Sequence, residues 1–184
     1  MRIVKFMAAV ITLVAVGSLS ACSEAKTKSP AVTDSIRRSL DQVGLKDVSV
    51  RQDREKGVVT LTGTVTSDAE KSQAEMIASS NAPTQVVANQ IAVRPPGGES
   101  DAKKVDSDLD KGIEKNVDAE LVKLKLDHDV KYDVKNGVVT LTGTVSSQSK
   151  RALVEKVAKD VPNVQQVVNE LEVKNQKATS SSSM

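Results

Sequence analysis

The residue types that perform most protein chemistry are scarce in this chain. Its 184 residues include one cysteine, one histidine, one tyrosine and no tryptophan. The histidine, His128, stands between Asp127 and Asp129, and it is predicted to begin a strand. Neighbours along a strand point to opposite faces, whereas a metal site needs several converging ligands. We therefore expect no metal site here.

Other forms of catalysis find no support in the sequence either. Two carboxylates acting as acid and base must converge in a pocket, and small units of this kind offer little room for one. Serine is abundant, but a nucleophilic serine needs a positioned base, and no such base is available. We expect no enzyme activity, no catalytic residue and no diffusible cofactor.

The single cysteine, Cys22, ends a segment with the character of an export signal. Arg2 and Lys5 precede an apolar run over residues 6–16, which is too short to span a bilayer. The segment closes with Leu19-Ser20-Ala21-Cys22. This pattern resembles the bacterial lipobox, in which small residues permit cleavage and the cysteine thiol accepts diacylglycerol. The sequence thus predicts cleavage after Ala21 and lipidation of Cys22.

The alternative is an ordinary secretory signal that leaves Cys22 as a free thiol. An unpaired cysteine is a liability in an oxidising exported compartment, and lipidation removes that liability. The expected modification is a diacylglycerol and an N-linked acyl chain, which together give stable anchoring. Ser23 follows the cysteine, and by resemblance to enterobacterial sorting rules the absence of aspartate there favours the outer membrane. The predicted location is periplasmic and lipid-anchored.

The net charge of the chain excludes one class of partner. The formal charge is +2, but Arg2 and Lys5 supply the whole excess, so residues 22–184 carry 24 basic and 24 acidic side chains. Nucleic-acid binding requires a basic surface that neutralises phosphates. We therefore expect no nucleic-acid partner.

An internal repeat sets the domain organisation. The nine residues Gly57–Val65 recur without change as Gly137–Val145, at an offset of 80. The preceding helices align at an offset of 81, which indicates one inserted residue between the first helix and the first strand. The predicted divisions are a signal peptide at 1–21, a lipidated tether at 22–30, domain one at 31–93, a Pro/Gly linker at 94–104, domain two at 105–174 and a disordered tail at 175–184.

Each copy follows the order helix, strand, strand, helix, strand. Apolar residues recur at helical spacing in the helices and alternate in the strands, and Asn136-Gly137 predicts a type I′ hairpin turn. The fold class is α+β: two tandem αββαβ modules, each a three-stranded mixed sheet with two helices on one face. The third strand is expected to lie parallel to the first.

The block Gly-Val-Val-Thr-Leu-Thr-Gly-Thr-Val, followed after a helix by Val-x-Asn-x-Ile/Leu-x-Val, resembles the BON domain. Two copies behind a lipobox resemble the tandem-BON envelope lipoproteins. The resemblance implies a non-enzymatic envelope protein that associates with phospholipid membranes and supports envelope integrity or osmotic-stress tolerance. In such lipoproteins the first helix of the second domain contacts lipid. Here that helix has mixed charge and no aromatic residue.

Two surfaces are candidates for contact with lipid or with a protein partner. Leu109 and Ile113, which follow Val105 at helical spacing, form an apolar strip that could dock on lipid or on the first domain, and docking on the first domain is favoured. The threonine row Thr60, Thr62 and Thr64 is either a docking face or a solvated sheet face. The alternative function is therefore a periplasmic module that binds an envelope protein through its sheet faces or edges. The oligomeric state stays open.

Overall fold

The computed structural model describes residues 28–174, and the predicted order of elements is confirmed in both copies. The tether residues before Lys28, with Cys22, and the tail after Lys174 lie outside the described residues. The first module comprises α1 (Thr33–Gln42), β1 (Val48–Asp53), β2 (Val58–Val65), α2 (Asp68–Asn81), β3 (Val86–Asn89) and β4 (Ala92–Val93). The second comprises α3 (Glu99–Lys123), β5 (Val130–Lys135), β6 (Val138–Val145), α4 (Gln148–Lys159), β7 (Gln166–Asn169) and β8 (Glu172–Val173).

Each module has a mixed sheet whose central strand is the second one. β2 pairs antiparallel with β1 and parallel with β3, and the second module repeats this order. The third strand is therefore parallel to the second and antiparallel to the first, so the predicted relation to the first strand was wrong. The reason is that α2 carries the chain from the end of β2 to the start of β3, which lies beside β2 and runs in the same direction, as in a βαβ unit.

One asparagine interrupts the third strand of each module and ties it to the preceding helix. The Asn89 side-chain amide donates to the Lys71 carbonyl at 3.1 Å and to Glu75 at 3.0 Å, and its oxygen accepts from the Ile91 N–H. The equivalent Asn169 makes the same three bonds in the second module. These asparagines are structural, because their polar groups are satisfied within the fold.

Each module has its own hydrophobic core between its helices and the inner face of its sheet. The cores consist of aliphatic side chains alone except for the partly buried Tyr132, which packs against the second core. Central members are Ile36, Leu40, Val59, Leu61, Ala74 and Ala78 in the first module and Val117, Leu121, Val139, Leu141, Val154 and Ala158 in the second. Separate cores of this kind support two folding units.

α3 is much longer than α1. It begins at Glu99, inside the segment predicted as a linker, and it continues through Gly112 without a break. Within residues 28–174, no helix is long and apolar enough to cross a membrane. The extra N-terminal turns of α3 reach back toward the first module, and their contacts are described below.

The register of β5 also differs from the sequence alignment. In the first module Val48 pairs with Gly63. An offset of 80 would place His128 opposite Gly143, but Val130 occupies that position, so the register of β5 is displaced by two residues. The cause is the hairpin, which has the loop 54–57 in the first module but only Asn136-Gly137 in the second. Both of these residues have positive φ, as a type I′ turn requires. His128 consequently lies before β5, not at its start, and its side chain is 97% exposed.

The glycine inside the second strand of each module marks a close backbone approach. Gly143 has φ +117°, and a Cβ there would overlap the carbonyl oxygen of Asp129, just before β5. Gly63 has the same relation to Asp47. Any larger residue must therefore strain the backbone and push two strands apart.

We expect Gly143→Ala to lower the free energy of unfolding by more than about 2 kcal/mol, because it adds a steric overlap to an unfavourable φ. Gly112→Ala is the matched control. Gly112 is helical, and no other group lies within 4 Å of the point that an added methyl would occupy, so alanine there should raise stability by about 0.5–1 kcal/mol. Urea unfolding of both variants tests this, and equal effects would contradict it.

Candidate functional site

The two modules pack together through the outer faces of their sheets. Val58 and Ala88 of the first module form one buried cluster with Val138 and Val168 of the second. These four residues are two pairs related by the repeat offset of 80. The interface is therefore self-complementary, as in a two-fold symmetric dimer, but both halves belong to one chain.

Polar contacts on either side of this cluster repeat the same relation. The Lys56 ammonium group donates to the Glu170 carboxylate at 2.5 Å. At the repeat-equivalent positions, the Asn136 side-chain amide donates to the Gln90 carbonyl at 2.8 Å. The bond to Glu170 raises the pKa of Lys56 above its ordinary value. The sequence copies have thus diverged at equivalent positions while each keeps a contact across the interface.

Gln166 seals the edge of the first sheet. Its amide nitrogen donates to the Val87 carbonyl at 2.7 Å, and its amide oxygen accepts from the Asn89 N–H at 3.1 Å. A side-chain amide has the same donor and acceptor as a peptide group, so it pairs with β3 as a neighbouring strand would. The signal for this role in the sequence is Gln166 at the position where the first copy has Val86.

The N-terminal extension of α3 closes the other side of the interface. The Asp110 carboxylate accepts from the backbone N–H groups of Asn136 at 2.8 Å and Gly137 at 2.9 Å. Arg94, just after β4, forms an ion pair with Asp106. The chain between the modules is therefore fixed by contacts at both of its ends.

A cleft of about 120 Å³ lies where α3 meets the first module. Lys71 lines it, and burial lowers the pKa of this amine although the surrounding carboxylates, Asp68 and Asp106 among them, oppose the shift. Its ammonium group donates to Gln165 at 3.2 Å. Lys71 therefore joins the modules electrostatically. Among residues 28–174, no group of three His, Cys, Asp or Glu side chains could hold a metal ion.

The structure places the residues predicted to contact lipid or a partner in different surroundings. Ile113 is 1% exposed in the second core, so it is not accessible to lipid. Leu109 is 43% exposed, and both residues line the cleft where α3 meets the first module. Thr60 and Thr62 are partly buried, whereas Thr64 is exposed. The apolar strip of α3 therefore faces the first module, and the threonine row is not a uniformly exposed surface.

A contact that the sequence did not predict lies at the start of the described chain. Ser29 and Arg54 bond reciprocally: the Ser29 N–H donates to the Arg54 carbonyl at 2.8 Å, and Arg54 Nε donates to the Ser29 carbonyl at 2.7 Å. The Pro30 carbonyl accepts from Gln52 at 2.6 Å and from Gln85 at 3.2 Å. We call residues 28–30 the strap. Nothing in its polar sequence distinguishes it from a free tether.

Comparison with known proteins identifies both modules. The family model described as "BON domain" matches residues 29–95 and 109–175. The chain belongs to the BON-domain family. It is 32% identical over 152 residues to the osmotically-inducible protein Y of Escherichia coli K12, covering 78% of this chain and 72% of that protein. It is 29% identical over 150 residues to an uncharacterized protein in the gshII 5' region of Anaplasma centrale, covering 80% and 95%.

Solved structures give only a slight likeness. Two structures of CdsD, a structural protein of the type III secretion system of Chlamydia trachomatis, match with TM-scores of 0.33 and 0.32 at 15% and 14% identity. The matches cover 77% and 76% of this chain but only 61% and 66% of the CdsD chains. At these scores the likeness supports no inference. The BON assignment depends on the family model and the sequence relatives.

We expect Gln166→Ala to open the edge of the first BON sheet. The Asn89 N–H loses its acceptor, so its hydrogen exchange should accelerate, and the free energy of unfolding should fall by about 1 kcal/mol. Gln165→Ala is the matched control because Gln165 contacts Lys71 and not the strand edge. Exchange measured by NMR tests this; unchanged protection of Asn89 in Gln166→Ala would contradict it.

The pKa of Glu155 lies below its ordinary value, first because Lys159 donates to its carboxylate and second because Asn169 does. The folded state therefore favours the ionised form. This stabilisation is present above the carboxyl pKa of the unfolded chain, about 4.3, and is lost as pH falls through the folded value. Glu155→Gln should destabilise the chain at about pH 7 and have little effect at about pH 3. Urea unfolding at both pH values tests this, and a penalty that persists in acid would contradict it.

Proposed function

We propose that this BON protein is a non-enzymatic lipoprotein of the bacterial cell envelope. In this proposal the chain is exported, cleaved after Ala21 and acylated on Cys22. It then associates with phospholipid membranes from the periplasm, on the outer membrane, and supports envelope integrity during osmotic stress. The similarity to an osmotically inducible BON protein supports the link to osmotic stress.

One observation carries this proposal: the sequence Leu19-Ser20-Ala21-Cys22 precedes the first BON module by only a few residues. The strap docks on the module at Ser29, so seven residue steps separate Ser29 from Cys22. A fully extended chain covers about 3.3–3.6 Å per residue, which limits this distance to about 25 Å. An acylated Cys22 would therefore hold the BON pair next to the membrane surface.

The charge balance supports an attachment that depends on the acyl chains. Because residues 22–184 carry equal numbers of basic and acidic side chains, long-range attraction to an anionic membrane is weak. Each buried CH₂ of an acyl chain contributes about 0.8 kcal/mol, and two or more chains anchor stably. The BON modules then need to supply only local contacts.

The alternative, a module that binds a partner on its sheet faces, loses part of its surface in this structure. Val58 and Ala88 lie on the outer face of the first sheet, and the second module covers them. Thr60 and Thr62 beside them are partly buried. The outer sheet faces therefore pack against each other, which leaves less of their surface for a separate partner.

We expect cells to incorporate a palmitate analogue into the parent protein and into Ser23→Ala, but not into Cys22→Ser. The reason is that only the Cys22 thiol can form the thioether that precedes N-acylation. Membrane fractionation should follow the same pattern, with Cys22→Ser released into the soluble fraction. A parent protein without label would refute the anchor.

A further inference from the structure

The sheet of the second module has an open edge. Among residues 28–174, β5 pairs with β6 on one side and with no strand on the other. The Thr144 N–H donates to the Asp129 carbonyl, and residues that bond to the neighbouring strand alternate along an antiparallel pair. Asp129 and every second residue after it therefore bond toward β6, whereas Tyr132 and Val134 direct their N–H and carbonyl groups outward. Such an edge is a template for a further strand.

The corresponding edge of the first module is partly covered by the strap. The Ser29 N–H donates to the Arg54 carbonyl just after β1. The Gln52 side chain, near the end of β1, donates to the Pro30 carbonyl. In the second module the equivalent segment belongs to α3, and its Asp110 bonds to the turn after β5 and not to β5 itself. Of these two edges, that of β5 is therefore the more accessible.

The exposed side chains along β5 alternate in sign. Asp129, just before the strand, is followed at every second position by Lys131, Asp133 and Lys135, so all four lie on the outer face of the sheet. Within residues 28–174 none of the four takes part in an ion pair. Charges of one sign on an edge strand oppose pairing, whereas an alternating row opposes it in some registers and favours it in others.

This alternation matches an antiparallel register of β5 against β5 of a second copy. When Tyr132 lies opposite Tyr132 of the second copy, Lys131 faces Asp133 and Asp129 faces Lys135, and each of these pairs occurs twice. A shift of two residues in one direction puts Lys131 opposite Lys131, and a shift in the other direction puts Asp133 opposite Asp133. Like charges directly opposite each other destabilise a strand pair. The charges therefore select the register centred on Tyr132 over its two neighbours.

The backbone groups of β5 suit the same register. The Tyr132 N–H meets the Tyr132 carbonyl of the second copy, and the Val134 N–H meets the Val130 carbonyl, because these groups all point outward. The Val130 N–H already donates to the Leu126 carbonyl at 2.9 Å, so it needs no partner from the second copy. The two sheets would then join across a two-fold axis, which is the commonest symmetry of soluble oligomers.

We propose that β5 is a homodimerisation surface that binds β5 of a second copy as an antiparallel strand, with the two-fold axis at Tyr132. The proposal does not depend on the anchor at Cys22. A strand of six residues offers a small contact compared with the interfaces of permanent dimers. Monomer and dimer are therefore expected to exchange, with dimers favoured at high local concentration.

Charge reversal and charge exchange test the surface. The sample is the mature chain, residues 22–184, with Cys22→Ser so that neither acyl chains nor a disulfide joins two copies. In analytical ultracentrifugation from micromolar to millimolar protein, we expect a monomer–dimer equilibrium. Lys131→Glu and Asp133→Lys should each weaken the dimer about tenfold or more, because each variant creates two like-charge pairs. The double variant Lys131→Glu with Asp133→Lys exchanges the charges and should restore the dimer.

Arg51→Glu is the matched control, because Arg51 lies opposite Thr60 on β2 as Asp133 lies opposite Thr140 on β6. This reversal on the edge strand of the first module should leave the dimer unchanged. Urea unfolding of each variant shows whether it is folded, and the double variant shows whether a loss comes from the charge pairing. A parent chain that stays monomeric throughout, or single reversals without effect, would overturn the proposal, as would a double variant that stays monomeric.

The register is tested by a disulfide in the same Cys22→Ser background. Asp129→Cys combined with Lys135→Cys leaves the central charge pairs intact and puts the two cysteines opposite each other across the axis, about 4.5–5.5 Å apart between Cα atoms, which a disulfide spans. Within one chain the two positions are about 20 Å apart, so the disulfide joins only separate copies. Mild oxidation should link the double variant much faster than either single variant. Equal rates would overturn the register.

Discussion

The packing of one outer sheet face against the other is the constraint on which the rest of this structure depends. A mixed sheet with helices on one face leaves its second face open, and an open apolar face is a liability in water. Here Val58 and Ala88 cover Val138 and Val168. The duplication therefore supplies each module with a cover for part of its outer sheet face.

This pairing also accounts for the differences between the copies. A homodimer must use the same residue twice across its axis, whereas a duplicated chain can change each half separately. Lys56 bonds to a carboxylate, while its equivalent Asn136 bonds to a backbone carbonyl. Gln166 seals the edge of β3, and its equivalent Val86 is an exposed aliphatic side chain. Such divergence favours pairing within the chain over exchange between chains.

Local sequence patterns correctly predicted the elements of each module, but they did not predict the contacts between segments that are distant in the sequence. The nine-residue repeat, the alternating strands and Asn136-Gly137 specify elements and a turn, because each depends on neighbouring residues. The partner of β3, the register of β5 and the burial of Ile113 depend on how segments meet in space. The strap was missed for the same reason: Ser29 and Pro30 dock through their backbone carbonyls and the Ser29 N–H, and backbone groups leave no signal in the side-chain sequence.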